Sequence, residues 1–158
     1  MPETVLTGGC QCGAVRFRAG RVGLSAICHC RMCQKAFGSY FAPLVTVGDV
    51  EWTRGAPSWF ASSNRMKRGF CEKCGTPLVC IDDKEMIEIA GGAFDDPDAA
   101  PPTLTFNADD RLALFDTLTT LPRQPNVEGE KAHNATIVSY QHPDRDTAVW
   151  PPEGARHG

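Results

Sequence analysis

The chain has 158 residues, of which 42% are hydrophobic and 22% are charged, a balance typical of one globular domain with a substantial core. The net charge of −3 disfavours a nucleic-acid-binding protein, which usually presents a basic face. The N-terminal residues do not resemble a secretory signal, and no apolar run approaches the ~18 residues of a membrane span. We therefore expect a cytoplasmic protein that binds neither nucleic acid nor a membrane.

Short strands dominate the predicted secondary structure. Residues 14–19 alternate apolar and polar side chains, as a half-buried strand does. Similar signals predict strands at 40–47, 49–54, 58–62, 76–81, 85–90 and 103–107. Pro43 suggests that the second of these strands lies at a sheet edge or is broken. One short helix is predicted over 31–37, and Gly38 ends it.

The composition changes after about Pro122, where prolines and polar residues become frequent. Only residues 135–140 have a strand pattern in this part. We divide the chain into a folded domain at 1–122 and a Pro-rich extension at 123–158 that either wraps the domain or stays loose. A small basic cluster, Arg65 with Lys67 and Arg68, is interpreted as an exposed strand end rather than an anion site.

Eight cysteines in a reducing compartment favour metal binding over disulfides. The even number also allows four disulfides. However, neighbours spaced Cys-x-Cys and Cys-x-x-Cys chelate one ion more readily than they bridge to distant partners.

Four of the cysteines predict a closed, structural zinc site: Cys10, Cys12, Cys71 and Cys74. The Cys-x-x-Cys spacing lets a turn aim both sulfurs at one ion, and Gly75 permits the positive φ that such a turn needs. One shared ion would join the first strands of the domain to its middle.

A second cluster, Cys28-x-Cys30-x-x-Cys33, predicts an open and catalytic zinc site. In an extended stretch Cys28 and Cys30 point to one side and His29 to the other, so His29 is expected to bond a nearby carbonyl instead of the metal. Cys80 lies in an apolar stretch and is expected in the core. The alternative is a second structural site, completed by a side chain that the sequence does not identify.

Three thiolates give zinc a net charge of −1 before a fourth ligand arrives, which makes zinc a poor activator of water. Such a site is better suited to an exogenous thiol, because coordination lowers the pKa of the thiol. The bound thiolate could then add to a small carbonyl compound. Arg31, Lys35 and Ser39 are polar neighbours that could orient the adduct.

The three cysteine blocks resemble the glutathione-dependent formaldehyde-activating enzyme family, which also includes centromere protein V. The resemblance is carried by residues 8–15, 28–38 and 68–78, and a looser match extends to Pro122. It implies a mainly β fold, a "β-tent" of antiparallel sheets with few short helices. It also implies two zinc ions per chain, with Cys10, Cys12, Cys71 and Cys74 as the structural set and Cys28, Cys30 and Cys33 as the catalytic set.

The activity implied by the resemblance is that of a carbon–sulfur lyase handling the adduct of glutathione and formaldehyde. Residues 104–110 depart from an aromatic stretch that relatives often carry, so no glutathione-contacting residue is assigned. A non-catalytic zinc-binding interaction module on the same fold is the alternative. A lyase for an unrelated thiol or an isocyanide-like substrate would share the metal site and differ in the pocket.

Overall fold

Two β-sheets form the frame of the protein in the computed structural model, which describes residues 4–153. The strands are β1 Leu6–Gly9, β2 Arg16–Gly20, β3 Ser25–Cys28, β4 Ala42–Val47, β5 Asp49–Arg54, β6 Ser58–Ala61, β7 Met66–Phe70, β8 Pro77–Asp82, β9 Ile87–Ala90 and β10 Leu104–Phe106. The small sheet has the order β1-β2-β5, and the large one has the order β10-β3-β4-β9-β8-β7-β6. The prediction of a mainly β fold is confirmed. The pairing is antiparallel except between β10 and β3, which run parallel.

The helices are few and short. The two α-helices are α1 Arg31–Phe37 and α2 Val127–Asn134. Single-turn and longer 3₁₀ segments occupy Gly91–Ala93, Pro97–Ala99, Ala108–Asp110 and Ala113–Thr120. The predicted bounds of α1 are confirmed, and Gly38 ends it in the left-handed conformation with φ 57°. None of the described helices is long and apolar enough to cross a membrane.

Apart from the segment at 135–140, the predicted strands all overlap observed ones, but three strands were not predicted. β1 contains two glycines, β3 has four residues, and β7 is rich in basic residues, so none shows a clear apolar alternation. The suggestion that Pro43 marks an edge or a break is wrong, because β4 lies inside the large sheet between β3 and β9. Pro43 faces Ile27 of β3 and precedes the stretch paired with β9, which starts at Leu44.

The main hydrophobic core lies between the two sheets. Phe17 of β2 is fully buried and makes edge-on contacts with Trp52 and Phe94, at centroid distances of 5.9 and 5.6 Å. Val45 and Ile89 pair across the large sheet and belong to the same cluster. Edge-on aromatic pairs and dense aliphatic packing stabilise this side of the large sheet.

A smaller buried cluster contains Cys28, Cys33, Ala42, Leu44 and Cys80. Glu88, Cys80 and Arg68 are cross-strand neighbours on β9, β8 and β7, one register position from the row that contains Ile89. Because successive side chains of a strand point to opposite faces, this row lies on the face turned away from the main core. The large sheet therefore separates two buried environments, the main core around Phe17 and Ile89 and the smaller cluster that holds Cys28, Cys33 and Cys80.

The C-terminal part from residue 135 to 153 is irregular. The predicted strand at 135–140 is wrong: these residues pair with no strand of the described chain, and Ile137 and Val138 remain exposed. The local pattern alone cannot supply the neighbouring strand that such a segment needs. Further on, the chain returns to the domain, because the Arg16 guanidinium reaches Asp146 at 2.7 Å as well as Asp95 at 2.6 Å.

Candidate metal centres

The four cysteines of the predicted closed site lie together, with all four sulfur atoms within 4.8 Å of one another. Sulfur–sulfur distances are 3.6 Å between Cys10 and Cys12 and 3.8 Å between Cys12 and Cys71. Zinc–sulfur bonds of about 2.3 Å at tetrahedral angles place sulfurs ~3.8 Å apart. The spacing and the all-sulfur donor set therefore fit a tetrahedral zinc ion. We call these four residues the closed cluster.

Two similar turns present the sulfurs of the closed cluster. The amide of Gly13 donates to the Cys10 carbonyl, and the amide of Gly75 donates to the Cys71 carbonyl. Gly13 and Gly75 take φ angles of 74° and 76°, which glycine adopts without strain. The Val15 amide then reaches the Cys10 sulfur at 3.2 Å. Backbone amides thus donate to sulfurs on both turns, that of Val15 to Cys10 and that of Thr76 to Cys74, as expected from the glycines in the sequence.

The ionisation of the closed cluster is uneven. Burial raises the pKa of Cys10 and, to a smaller extent, that of Cys12. Burial acts in the same direction on Cys74, but hydrogen bonds from Thr76 outweigh it and lower the pKa of Cys74 to about 6. A cation held by all four sulfurs must displace the protons of Cys10 and Cys12, so metal binding is coupled to proton release.

Residues 142–150 of the C-terminal extension, called the tail below, cover the Cys10–Cys12 half of the closed cluster. The indole Nε1 of Trp150 donates to the Cys12 carbonyl at 2.8 Å, and the His142 amide donates to the Gln11 carbonyl at 2.8 Å. The His142 and Trp150 rings pack edge-on at 4.8 Å. A Cβ on Gly13 would lie 2.6 Å from the Trp150 ring. Sequence reasoning missed this tail contact, because nothing in residues 142–150 indicates which surface they meet.

The three cysteines of the predicted open site also come together, within 4.8 Å of one another. Cys28 ends β3, Cys30 caps α1, and Cys33 lies in the first turn of α1. A strand that ends directly before a helix brings all three sulfurs to one point. Among the described residues, no other cysteine, histidine or acidic side chain joins this group. We call these three residues the open cluster.

Each sulfur of the open cluster accepts a hydrogen bond from a different donor. The Cys33 amide donates to Cys30 at 3.4 Å, the Asn107 side chain to Cys28 at 3.3 Å, and the Arg68 guanidinium to Cys33 at 3.3 Å. Such donors orient thiolate ligands and tune their electron density.

Asn107 and Arg68 were not assigned to the site from the sequence. The interpretation of the basic cluster as an exposed strand end holds for Arg65 and Lys67 but is wrong for Arg68, of which 5% is exposed. The available signal was the strand period, since Lys67 and Arg68 must point to opposite faces. Asn107 directly follows β10, whose parallel pairing with β3 brings it to Cys28.

The pKa values of Cys28 and Cys33 in the open cluster shift in opposite directions. Hydrogen bonding with Cys33 lowers the pKa of Cys28 to about 5, against the effect of burial. The same pairing raises the pKa of Cys33, and burial raises it further. A cation bound by the three sulfurs must therefore displace a proton from Cys33.

His29 is not part of the open cluster, as expected. The expected hydrogen bond to a carbonyl is not found at its Nδ1 atom, which is buried and has no partner among the described residues. Instead the ring packs edge-on against Phe115 at 4.8 Å and lies 6.4 Å from Phe41. The backbone of His29 is fixed, because its amide donates to the Phe106 carbonyl.

Other residues considered from the sequence lie around the open cluster. Cys80 is buried in the smaller core, as predicted, and burial raises its pKa to about 11. Arg31, Lys35 and Ser39 are exposed on or just after α1. The Arg31 guanidinium bonds the Gln34 side chain at 3.1 Å.

Comparison with known proteins agrees with this arrangement. Residues 5–109 match the family model described as "Glutathione-dependent formaldehyde-activating enzyme". The chain belongs to this family. The expectation drawn from the cysteine blocks is therefore confirmed.

The other two comparisons add little. A crystal structure of a Rhodobacter sphaeroides protein is similar, with 20% sequence identity and a TM-score of 0.48, over 64% of this chain and all of the other. None of the curated proteins that were compared matches the chain.

Proposed function

We propose that this protein is a zinc-dependent carbon–sulfur lyase acting on the adduct of a thiol and a small aldehyde, with glutathione and formaldehyde as the substrates suggested by the family name. In the direction of synthesis, a sulfur–carbon bond forms at the carbonyl carbon and the proton of the thiol ends on the carbonyl oxygen. The reverse reaction breaks the same bond. The observation that supports this proposal is the open cluster, which offers three sulfur ligands where the closed cluster offers four.

The two clusters would divide the metal roles. We assign structural zinc to Cys10, Cys12, Cys71 and Cys74, and catalytic zinc to Cys28, Cys30 and Cys33. Zinc at the open cluster would supply a fourth position at which an exogenous thiol is held as thiolate.

The residues of the chain then fix the geometry of the open cluster. Asn107 and the Cys33 amide hold the sulfurs of Cys28 and Cys30 from two directions. The His29 ring, between Cys28 and Cys30 in the chain, packs against Phe115 and so fixes this part of the loop. Arg31 and Lys35 are exposed cations on α1, suited to attract the carboxylates of a peptide thiol such as glutathione.

The proposal is tested with Cys30→Ser, which removes one ligand of the open cluster. We expect native mass spectrometry to show loss of one of two zinc ions, and calorimetry to show at least a tenfold loss of glutathione affinity. Formation of the adduct from ¹³C-formaldehyde, followed by NMR, should fall to the uncatalysed rate. Met86→Ser is the control, because it introduces a serine at an exposed position outside both clusters. Unchanged glutathione affinity in Cys30→Ser would contradict the proposal.

A further inference from the structure

Arg68 is a buried cation in direct contact with the open cluster. Its Nη2 donates to the Cys33 sulfur at 3.3 Å, its Nη1 to the Cys80 sulfur at 3.0 Å, and its Nε to the Ser62 hydroxyl at 3.0 Å. All three nitrogens of the guanidinium are therefore engaged. The guanidinium is therefore held in one orientation, with Nη2 on Cys33 of the open cluster and Nη1 on Cys80 outside it.

The partners of Arg68 are unusual for a buried arginine. No carboxylate of the described residues lies within ion-pair distance of its guanidinium, although Arg16, the other buried arginine, pairs with Asp95 and Asp146. A buried charge needs an opposite charge or strong hydrogen bonds. Glu88 lies on the same row of the sheet but outside ion-pair distance, so the group in contact with Arg68 that can carry a negative charge is the open cluster, through Cys33.

The Arg68 guanidinium offsets the negative charge that the open cluster carries when it binds zinc and a thiolate. Three thiolates around Zn²⁺ carry a net charge of −1, and a fourth thiolate brings the total to −2. Inside a protein this second negative charge is strongly disfavoured unless a cation lies close by. The guanidinium returns the total to −1. A neutral fourth ligand would leave the total at zero with the guanidinium present, so it gains nothing from Arg68.

We propose that Arg68 makes the open cluster selective for an anionic fourth ligand, a thiolate, over a neutral one. Arg68 acts through Cys33 and is thus a positioning residue that sets ligand specificity. The inference rests on the proposed function and specifies the ligand class of the same site. It disfavours neutral ligands such as an isocyanide.

Hydrogen bonds to Ser62 and Cys80 hold the positive charge of Arg68 next to the open cluster. Ser62 and Cys80 hold two of the nitrogens, so the guanidinium cannot turn away to solvent. The backbone of Arg68 is in β7, paired with Cys80 of β8 and Phe60 of β6. A side chain fixed in this way needs little reorganisation when the ligand arrives.

The test compares Arg68→Met with the wild type in the full-length chain, after native mass spectrometry has confirmed two zinc ions in each. Calorimetry measures the affinity for 2-mercaptoethanol and azide, which bind as anions, and for imidazole, which binds neutral. We expect Arg68→Met to weaken both anions at least tenfold and imidazole less than threefold. Arg68→Lys, which keeps the charge, should retain most of the preference for anions.

Arg65→Met is the matched control, because Arg65 is exposed and pairs with Asp83 at 2.9 Å. It should change none of the three affinities. Should Arg68→Met lose zinc, Arg68→Gln replaces it as a neutral variant with a polar side chain.

The outcomes separate the two proposals. Equal weakening of anions and imidazole would indicate a merely structural role and overturn the inference, as would unchanged anion affinity. A wild type that binds azide better than imidazole but binds no thiol would contradict the proposed lyase, and the Arg68 variants would still decide the inference. A wild type with no preference for anions overturns the inference directly.

Discussion

The closed and open clusters are made of the same ligand atom but are held in different ways. Backbone amides and two glycine turns shape the closed cluster, and Trp150 of the C-terminal tail covers it. Side chains from distant strands and loops, Arg68 and Asn107, contact the open cluster. Contacts from the backbone are part of the fold itself and suit a permanently bound metal ion. Contacts from side chains can differ from one protein to another and can therefore set which ligand the metal accepts. This difference is consistent with the proposed assignment of structural zinc to the closed cluster.

The strongest test of this comparison is Cys74→Ser. The closed cluster joins the β1–β2 turn to the β7–β8 turn, and metal binding and folding are coupled in such sites. We expect loss of zinc from the closed cluster and loss of cooperative thermal unfolding, measured by calorimetry. Cys30→Ser should keep a cooperative transition. A soluble Cys74→Ser protein with an unchanged melting temperature would contradict the structural role.

A smaller effect is expected from removing the tail contact with Trp150→Ala. Trp150 is partly buried and bonds the Cys12 carbonyl, so its loss should lower the free energy of unfolding by about 1–2 kcal/mol. Zinc transfer to a chelator should become faster at the closed cluster and stay unchanged at the open one. Trp59→Ala, an exposed tryptophan on β6, is the control. Equal acceleration at both clusters would show that the tail does not act locally.

The smallest expected effect is a pH dependence of the tail contact. Burial and the nearby Arg16 lower the pKa of His142, and Arg54 acts in the same direction, while Asp95 opposes it. A histidine whose pKa is lower in the folded state favours folding when neutral, so this contribution falls as the pH drops below about 6.5.

Amide hydrogen exchange, corrected for its intrinsic pH dependence, should show the effect of His142. Protection of residues 142–150 should decrease from pH 7.5 to 5.5 in the wild type and change less in His142→Gln. The same decrease in both proteins would assign the effect to other groups.

The sequence predicted the parts of the site that local spacing determines. The open cluster, the bounds of α1 and the glycine turns follow from residues within a few positions of one another. Each half of the closed cluster follows in the same way, and the two halves were joined because each supplies two of the four thiolates of a closed zinc shell. Arg68 and Asn107 could not be assigned in this way, because their partners depend on strand register and on the parallel pairing of β10 with β3. The strand expected at 135–140 failed for the same reason, since its pattern is local and its partner is absent from the described fold.

The tail contact also orders events during synthesis of the chain. Trp150 and Cys12 are separated by 138 positions, and Cys74 lies between them. At ~5–20 residues per second, Cys74 is made roughly 4–15 s before Trp150. All four sulfurs of the closed cluster are thus present before the indole that covers the first turn. A metal ion bound by the closed cluster would then enter from the side that Trp150 covers afterwards.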